Sequence, residues 1–491
     1  MFEQEVRFQV PDAVRASVRA EIERIGAVGA GTRLLARYYD TEDALLGRRG
    51  AALRLRLEAG EWVQTFKAVG DDPLTRIEYN TPAADAELDL AALAGRPGTG
   101  ALGDVDGLAA LRESLGVLFE TEFVRLRTVL RLSADGEVGS VELALDEGQI
   151  RAGGQVVPIS ELEFELLGGD VASLLQAAIP WVERFGLVLL PVSKSERAHR
   201  LRNGDPPYPV TTARTPDIAT DTLLVAGWAR VFDDCFEQIS RNALALAAGQ
   251  GDPQGGHVHQ LRVGIRRLRS LEKLVAGLLP APDPSLSEAL RSLFRELGHL
   301  RDGDVLGGEL LPRIEAAWGG PLSLGSAVAG GEAAAGLCAG TATQRLLLAL
   351  LARRIDSGRH RVEVTLAGHA RRRINRWLRR SRRQAAGFAT LSIGQRHGLR
   401  KRIKRIRYGI SFIESLLTGK RERRLLRSLK RVQQRLGDWG DLQTALARVA
   451  PLAPDDAGAA FAQGWLAASL QAMEKLLRAE MRRFAGLRHG L

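Results

Sequence analysis

Six short stretches in the first 200 residues alternate ionic and apolar side chains with a period of two. Glu3, Glu5 and Arg7 interleave with Phe2, Val6 and Phe8. Arg54, Arg56 and Glu58 interleave with Leu53, Leu55 and Leu57, and Arg76 and Glu78 with Ile77 and Tyr79. Arg125, Arg127 and Arg131 alternate with Val124, Leu126 and Leu130. Glu142 and Asp146 alternate with Val141, Leu143 and Leu145, and Glu161, Glu163 and Glu165 with Leu162, Phe164 and Leu166. Successive strand side chains point to opposite faces, so each set lines one side of a sheet. If the sheet closes, one of the two faces is interior. An apolar interior is an ordinary core with solvated charges outside, the usual outcome for a single half-exposed strand. A charged interior is a binding tunnel, with the apolar face packed against outer helices such as one spanning residues 11–27. The mixture of carboxylates and guanidiniums, and the crowding of Glu161, Glu163 and Glu165, favour the tunnel, because like charges at that spacing need a cation between them.

The formal net charge of +11 conceals a division. Residues 1–200 hold 22 Lys+Arg against 32 Asp+Glu, a net of −10, and the remainder holds 47 against 26, a net of +21. A strongly basic half implies a polyanionic partner. At 491 residues two or three domains are expected. A proline-dense stretch, 204–221 with Pro206, Pro207, Pro209 and Pro216, separates a first domain at 1–203 from a second at 222–491. Cys235 and Cys338 lack metal-ligand spacing, which suits a reducing compartment. Glu3 and Glu5 stand where a secretory signal would carry basic residues, and the apolar run 346–352 is too short to span a bilayer. The expectation is a soluble, cytoplasmic protein with no membrane partner.

The charged elements occur as an ordered set: Glu3-Gln4-Glu5-Val6-Arg7, Tyr38-Tyr39-Asp40-Thr41, Arg54-Leu55-Arg56, Thr65-Phe66-Lys67, Arg76-Ile77-Glu78, Glu142 to Asp146, Glu161 to Glu165, and Ser193-Lys194. The set resembles the CYTH family, the triphosphate tunnel metalloenzymes, over about residues 1–200, with Arg7 where the family pattern has lysine. The resemblance implies an eight-stranded antiparallel β-barrel within an α+β domain, hydrolysing a triphosphate with Mg²⁺ or Mn²⁺. It implies Glu3, Glu5 and Glu163 as metal ligands, with Glu161 and Glu165 in support. It implies Arg54, Arg56, Lys67, Arg76, Glu78, Arg125 and Arg127 around the substrate, and Arg7, Asp146 and Lys194 as further members of the site. Hard divalent cations take carboxylate and phosphate oxygens, and phosphoryl transfer is mostly positioning and charge neutralisation, so the residue types suit the chemistry.

After residue 220 the texture is Leu, Ala and Arg at helical spacing, and it contains a duplication. HQLRVGIRRLRS from His259 matches HGLRKRIKRIRY from His397 at an offset of 138. Downstream, Leu297-Gly298 and Asp302 match Leu436-Gly437 and Asp441. Two pseudo-symmetric helical bundles follow. Positions three, four and seven apart share a helix face, so His259, Arg262, Arg266 and Arg269 form one cationic stripe, and His397, Arg400, Lys404 and Arg407 another. Either stripe alone reads as a solvated face; two matched stripes can line one concave basic surface whose affinity for a polyanion is salt-sensitive. These residues, with Arg267, Lys401, Arg405, Tyr408 and the Arg301-Asp302-x-Asp304 segment, resemble the CHAD family over about residues 222–491. That resemblance implies an all-α domain binding long-chain inorganic polyphosphate, and association with polyphosphate granules.

Other patterns carry less. Gly98-x-Gly100-x-x-Gly103 spells a dinucleotide fingerprint without the flanking strand and helix, and reads as a loop. His257 and His259 have no neighbouring ligand cluster. The arginine run beginning at Arg371 invites nucleic acid, but aromatics are only 5% of the chain and no stacking platform is evident. The expected function is therefore an inorganic triphosphatase, converting tripolyphosphate to pyrophosphate and phosphate, joined to a polyphosphate-binding domain. Arg7 keeps open a non-catalytic polyphosphate binder, and phosphate-directed charges leave an organic triphosphate, such as thiamine triphosphate or a nucleotide, as a further alternative.

Overall fold

A computed structural model describes residues 2–26, 31–83, 86–103, 107–134, 137–251, 255–305, 310–322, 324, 330–487 and 490–491, with backbone alone at 133–134, 137–138, 301–305 and 330. The strands are β1 (Phe2–Gln9), β2 (Thr32–Asp40), β3 (Ala51–Glu58), β4 (Glu61–Val69), β5 (Thr75–Pro82), β6 (Gly116–Ala134), β7 (Glu137–Ala152), β8 (Gln155–Gly168) and β9 (Val188–Leu189). Helices α1 (Arg15–Ile25), α2 (Leu45–Arg48), α3 (Leu108–Ser114), α4 (Val171–Phe185) and α5 (Lys194–Asn203) accompany them. The strand order is β5-β4-β3-β2-β6-β7-β8-β1-β9, and β5 also pairs with β1. Eight strands therefore close into an antiparallel barrel, with β9 added outside the ring on β1.

Closure resolves which face is inside. The apolar positions of β1 and β8 pack outward: Phe8 meets Phe164 edge-on at 5.6 Å, and Phe164 meets Trp181 of α4 at 6.2 Å. Leu53 and Phe66 of β3 and β4 lie in a second outer cluster with Leu46, Leu90, Leu93 and Leu111. The ionic positions of the same strands face inward. At one end, however, the interior is apolar. Leu34, Ala36 and Tyr38 of β2 meet Phe119, Phe123, Ile150 and Ile159, and Ala198 of α5 buries against them. α5 thus plugs that end of the barrel. Its first turn is fixed by Ser193, whose hydroxyl accepts the Glu196 N–H at 3.0 Å.

The second half is helical: α6 (Leu224–Ala247), α7 (Gly256–Val275), α8 (Pro284–Val305), α9 (Leu311–Trp318), α10 (Gly330–Ala339), α11 (Thr341–Gly358), α12 (Leu366–Ala386), α13 (Ile393–Ser411), α14 (Lys420–Val449) and α15 (Ala457–Ala485). No single helix among the described residues is long and apolar enough to cross a membrane. The chain divides into two compact units, one comprising Met1–Thr211, Ser240–Gln250 and Ala335–Ile355, the other the remaining helical residues. The barrel unit thus includes helical segments from beyond the proline-dense stretch. Within it, Leu189 N–H donates to Gln344 Oε1 at 2.8 Å, Arg241 grips Glu196, and Leu244 buries with Val188, Leu190 and Val192.

Candidate active site

Strand register arranges the interior charges in rows. Glu5, Glu165 and Glu142 lie abreast on β1, β8 and β7, and Arg7 and Glu163 are partners one step further along. Glu161, Asp146 and Arg125 follow on β8, β7 and β6. Glu3 stands beside Arg76, and Lys67 beside Glu78.

Toward the plug the charges are matched. Lys194, first residue of α5, places its ammonium 2.8 Å from Asp146, 2.8 Å from Glu161 and 2.7 Å from Glu163. Arg125 holds Asp146 through two bonds of 2.6 Å and reaches Glu163 at 2.5 Å, while Arg197 pairs with Glu161. Asp146 and Glu161 are essentially inaccessible. Burial alone would push Glu163 up, but Lys194, Arg125 and Arg7 overcome it and hold the carboxyl well below the ordinary range. Lys194 is likewise opposed by burial and raised by its three carboxylates.

Further along the interior the charges are not matched. Arg54 donates to the Tyr38 hydroxyl at 3.0 Å and makes no ion pair among the described residues. Arg56 touches Glu58 at 2.8 Å, but Glu58 is shared with Arg127 at 2.6 Å. The Nε atoms of both Arg54 and Arg56 are buried without a hydrogen-bond partner. Burial, and then the neighbouring Arg54, push the Arg56 guanidinium down to about 10. Arg54, held charged against burial by Tyr38 and Glu78, and Arg56, whose charge is only partly offset, stand side by side in the interior, an arrangement suited to anionic oxygens.

The carboxylates are crowded in the same way. Glu3 pairs with Lys67 at 2.8 Å and shares hydrogen bonds with Glu78 and Glu165. Burial, then Glu78, push the Glu3 carboxyl up to about 9, and burial also raises Glu165. Three carboxylates abreast, with Glu3 close by, supply the oxygen donors that a hard divalent cation takes. Among the described residues no three acidic, histidine or cysteine side chains are already posed around one point. Of the expected ligands, Glu3 and Glu5 lie in the crowded set. Glu163 does not join them, because one of its oxygens faces Lys194 and the other Arg125. Arg76 reaches Glu5 at 3.8 Å, and Arg7 is buried 3.6 Å from the same carboxylate. Tyr38 and Arg197, unassigned by sequence reasoning, hold Arg54 and Glu161. Tyr38 lies within the Tyr38-Tyr39-Asp40-Thr41 element, whereas nothing local marks Arg197.

In the helical unit α7 packs on α13, which brings the two stripes together. Arg262, Arg266 and Arg269 surround the Phe294 ring, with guanidinium carbons 4.8, 5.9 and 6.0 Å from its centroid. Arg400 pairs with Asp441 at 3.2 Å. Burial, then Arg400 and Arg266, push the Lys404 ammonium down to about 7. His397 stacks obliquely on Trp439 and is lowered by burial and by Arg400 and Lys401. Arg405 lies over Trp377, and His259, Arg407 and Tyr408 are half-buried. Arg267 departs from its stripe: one residue on from Arg266, it turns inward. It is 2% exposed and pairs with Asp234 at 2.5 Å and Gln238 at 2.8 Å. The side chains of Arg301, Asp302 and Asp304 lie outside the described residues.

Two family models match the chain. Residues 1–198 match the CYTH domain, and residues 230–450 match the CHAD domain. The chain carries a CYTH domain followed by a CHAD domain. An inorganic triphosphatase of Haemophilus influenzae is 31% identical over 144 residues, covering 28% of this chain and 37% of that protein. Less than two thirds of that relative's length is therefore matched. Among solved structures, the CHAD domain from the plant Ricinus communis is 29% identical, covering 57% of this chain and 98% of that one, with a TM-score of 0.48. A putative adenylyl cyclase from Hippeastrum, described as having a dominant triphosphatase activity, is 16% identical, covering 42% and 97% of the two chains, with a TM-score of 0.29.

Proposed function

We propose that the barrel is an inorganic triphosphatase, converting tripolyphosphate and water to pyrophosphate and phosphate, and that the helical half binds long-chain inorganic polyphosphate. The observation that carries the first part is the pairing, in one interior, of Arg54 and Arg56, each with a buried Nε that lacks a hydrogen-bond partner, with a crowded carboxylate row. Arg54 and Arg56, aided by Lys67, Arg76 and Arg127, grip the phosphate oxygens. Water adds to the terminal phosphorus, the bridging P–O bond breaks, and the water's proton passes to an interior carboxylate. Glu3, Glu5 and Glu165 would hold Mg²⁺ or Mn²⁺, which when bound neutralises further phosphate charge. Glu161, Glu163 and Asp146, tied by Lys194 and Arg125, keep the wall of the site rigid. The relative from Haemophilus influenzae supports this substrate over an organic triphosphate.

The second part rests on the packing of α7 against α13, which sets Lys404 near Arg400 and Arg266; burial, then those two arginines, push its ammonium down to about 7. His259, Arg262, Arg266, Arg269, His397, Arg400, Lys401, Lys404, Arg405, Arg407 and Tyr408 would line it, with Arg267 as a buried strut. The experiment is phosphate release by the full chain from tripolyphosphate, pyrophosphate, long polyphosphate, ATP and thiamine triphosphate, with Mg²⁺, with Mn²⁺ and with chelator. Selective, metal-dependent release from tripolyphosphate, abolished by Glu3→Gln with Glu5→Gln, is expected. Binding of tripolyphosphate without release under any metal would replace the triphosphatase by a non-catalytic polyphosphate binder, the reading that Arg7 leaves open.

A further inference from the structure

The helical unit holds a cavity of about 780 Å³ between the middle of α12 and the start of α14. Asn375, Arg379, Arg382, Lys420, Arg421 and Glu422 line it. None of these belongs to the duplicated stripes. Four of the six are cationic, and the one acidic side chain is already engaged: Glu422 Oε2 accepts the Gly419 N–H at 2.6 Å, and Oε1 lies 3.5 Å from Arg371. Arg379, Lys420 and Arg421 are exposed and make no ion pair among the described residues. Leu491 borders the cavity, fastened to the Asn375 amide by two hydrogen bonds of 2.9 Å.

Arg379, Lys420 and Arg421, exposed around one concavity beside Arg382, repel one another, and an anion relieves that repulsion. The planar fork of arginine matches phosphate oxygens two at a time, and the volume lies in the range of small-ligand sites. No aromatic residue lines the cavity, so it offers no stacking surface for a nucleic-acid base. We propose that this cavity is a second phosphate site, taking a compact group of two or more neighbouring phosphates, and separate from the surface on α7 and α13. A small polyphosphate ester and the end of a linear polyphosphate present the same chemistry to it. The proposal does not depend on the triphosphatase reading.

Hydrogen exchange on the full chain, in chelator and at fixed ionic strength, tests it with two probes, myo-inositol hexakisphosphate and long linear polyphosphate. Protection is expected at the start of α14 and the middle of α12. Arg379→Ala with Lys420→Ala and Arg421→Ala removes that protection and weakens binding there about tenfold or more. Arg266→Ala with Lys404→Ala leaves it in place. Arg379, Lys420 and Arg421 are exposed, so the triple variant folds, and circular dichroism checks both variants. Protection by the ester identifies a soluble polyphosphate ester as the source, and protection by the polymer alone identifies a chain end. No protection at this cavity with either probe, equal protection by sulfate, or unaltered binding by the triple variant overturns the proposal.

Discussion

Replacing Arg56 by methionine should stabilise the empty barrel while crippling its anion affinity. The Arg56 side chain is 13% exposed, and burial and then Arg54 push its guanidinium down to about 10. A shift of that size corresponds to about 3 kcal/mol disfavouring the charge in the fold. The pull of Glu58 is already included, and Glu58 keeps Arg127 at 2.6 Å when Arg56 is gone. At pH 7 the group is charged folded and unfolded, so the whole penalty is present; it fades only above the folded value of about 10. Methionine fills irregular space without charge, so a net gain of about 1–2 kcal/mol is expected after imperfect packing. Two compact units preclude a single global melt, so the assay is denaturant-dependent hydrogen exchange of β3 and β4 amides. Tripolyphosphate at a hundredfold excess over its Kd should stabilise the native barrel by about 2.7 kcal/mol, and the variant far less. An Arg56→Met barrel less stable than the native one without ligand would refute the idea that Arg56 is held ready for an anion.

Lys194→Met removes the one ammonium that faces three buried carboxylates, and should destabilise the barrel by about 3–5 kcal/mol, read by the same exchange method. Lys404, lowered to about 7, is cationic below that pH and neutral above it, so polyphosphate affinity should fall between about pH 6 and 8, and Lys404→Arg should flatten the profile in titration calorimetry. Excised residues 1–203 lose the Gln344 acceptor for Leu189 N–H and the Arg241 partner of Glu196; orphaning that buried N–H alone costs about 1–3 kcal/mol, so the fragment should melt below the barrel transition of the full chain by calorimetry. Gly148→Ala would set a methyl 2.1 Å from the Glu122 carbonyl oxygen, a backbone clash, and should sharply reduce soluble yield and β6–β7 protection.

The alternation of Glu3, Glu5 and Arg7 was enough to divide β1 into two faces, and the recurrence of such strands pointed to a charged interior. What period two does not say is how far the charged interior extends. In β2 the apolar set Leu34, Ala36 and Tyr38 faces inward and Arg33 and Arg37 face out, the reverse of β1, because α5 fills that end with Ala198. Whether an apolar strand face meets an outer helix or an inner plug depends on a helix some 160 residues away. The same distance hides Arg197 from any local motif. The inclusion of 240–250 and 335–355 with the barrel rests on contacts such as Leu189 with Gln344, far apart in sequence and unmarked by composition. The duplication at His259 and His397 was legible because identity recurs at a fixed offset. Arg267 shows its limit, since a match in type does not fix where a neighbour one residue round the helix will point.

One criterion separates framework from function in both halves of the chain. Lys194 with Asp146, Glu161 and Glu163, and Arg267 with Asp234, are buried charges whose partners are complete; removing either side leaves an orphan, so they act as struts. Arg56, Glu165 and Lys404 differ: burial and like-charged neighbours oppose the charge of each, and the ion pairs of the adjoining Glu5 and Glu142 are long, 3.6 and 3.8 Å to Arg7 and Arg76 and 4.0 Å to Arg127. A fold that retains such groups is less stable empty than it could be, and the deficit is recovered only when a ligand of opposite charge arrives. The under-compensated cations stand beside under-compensated carboxylates in the barrel but not on the helical surface. Under the proposed function the barrel takes an anion together with a cation, whereas the helices take an anion alone.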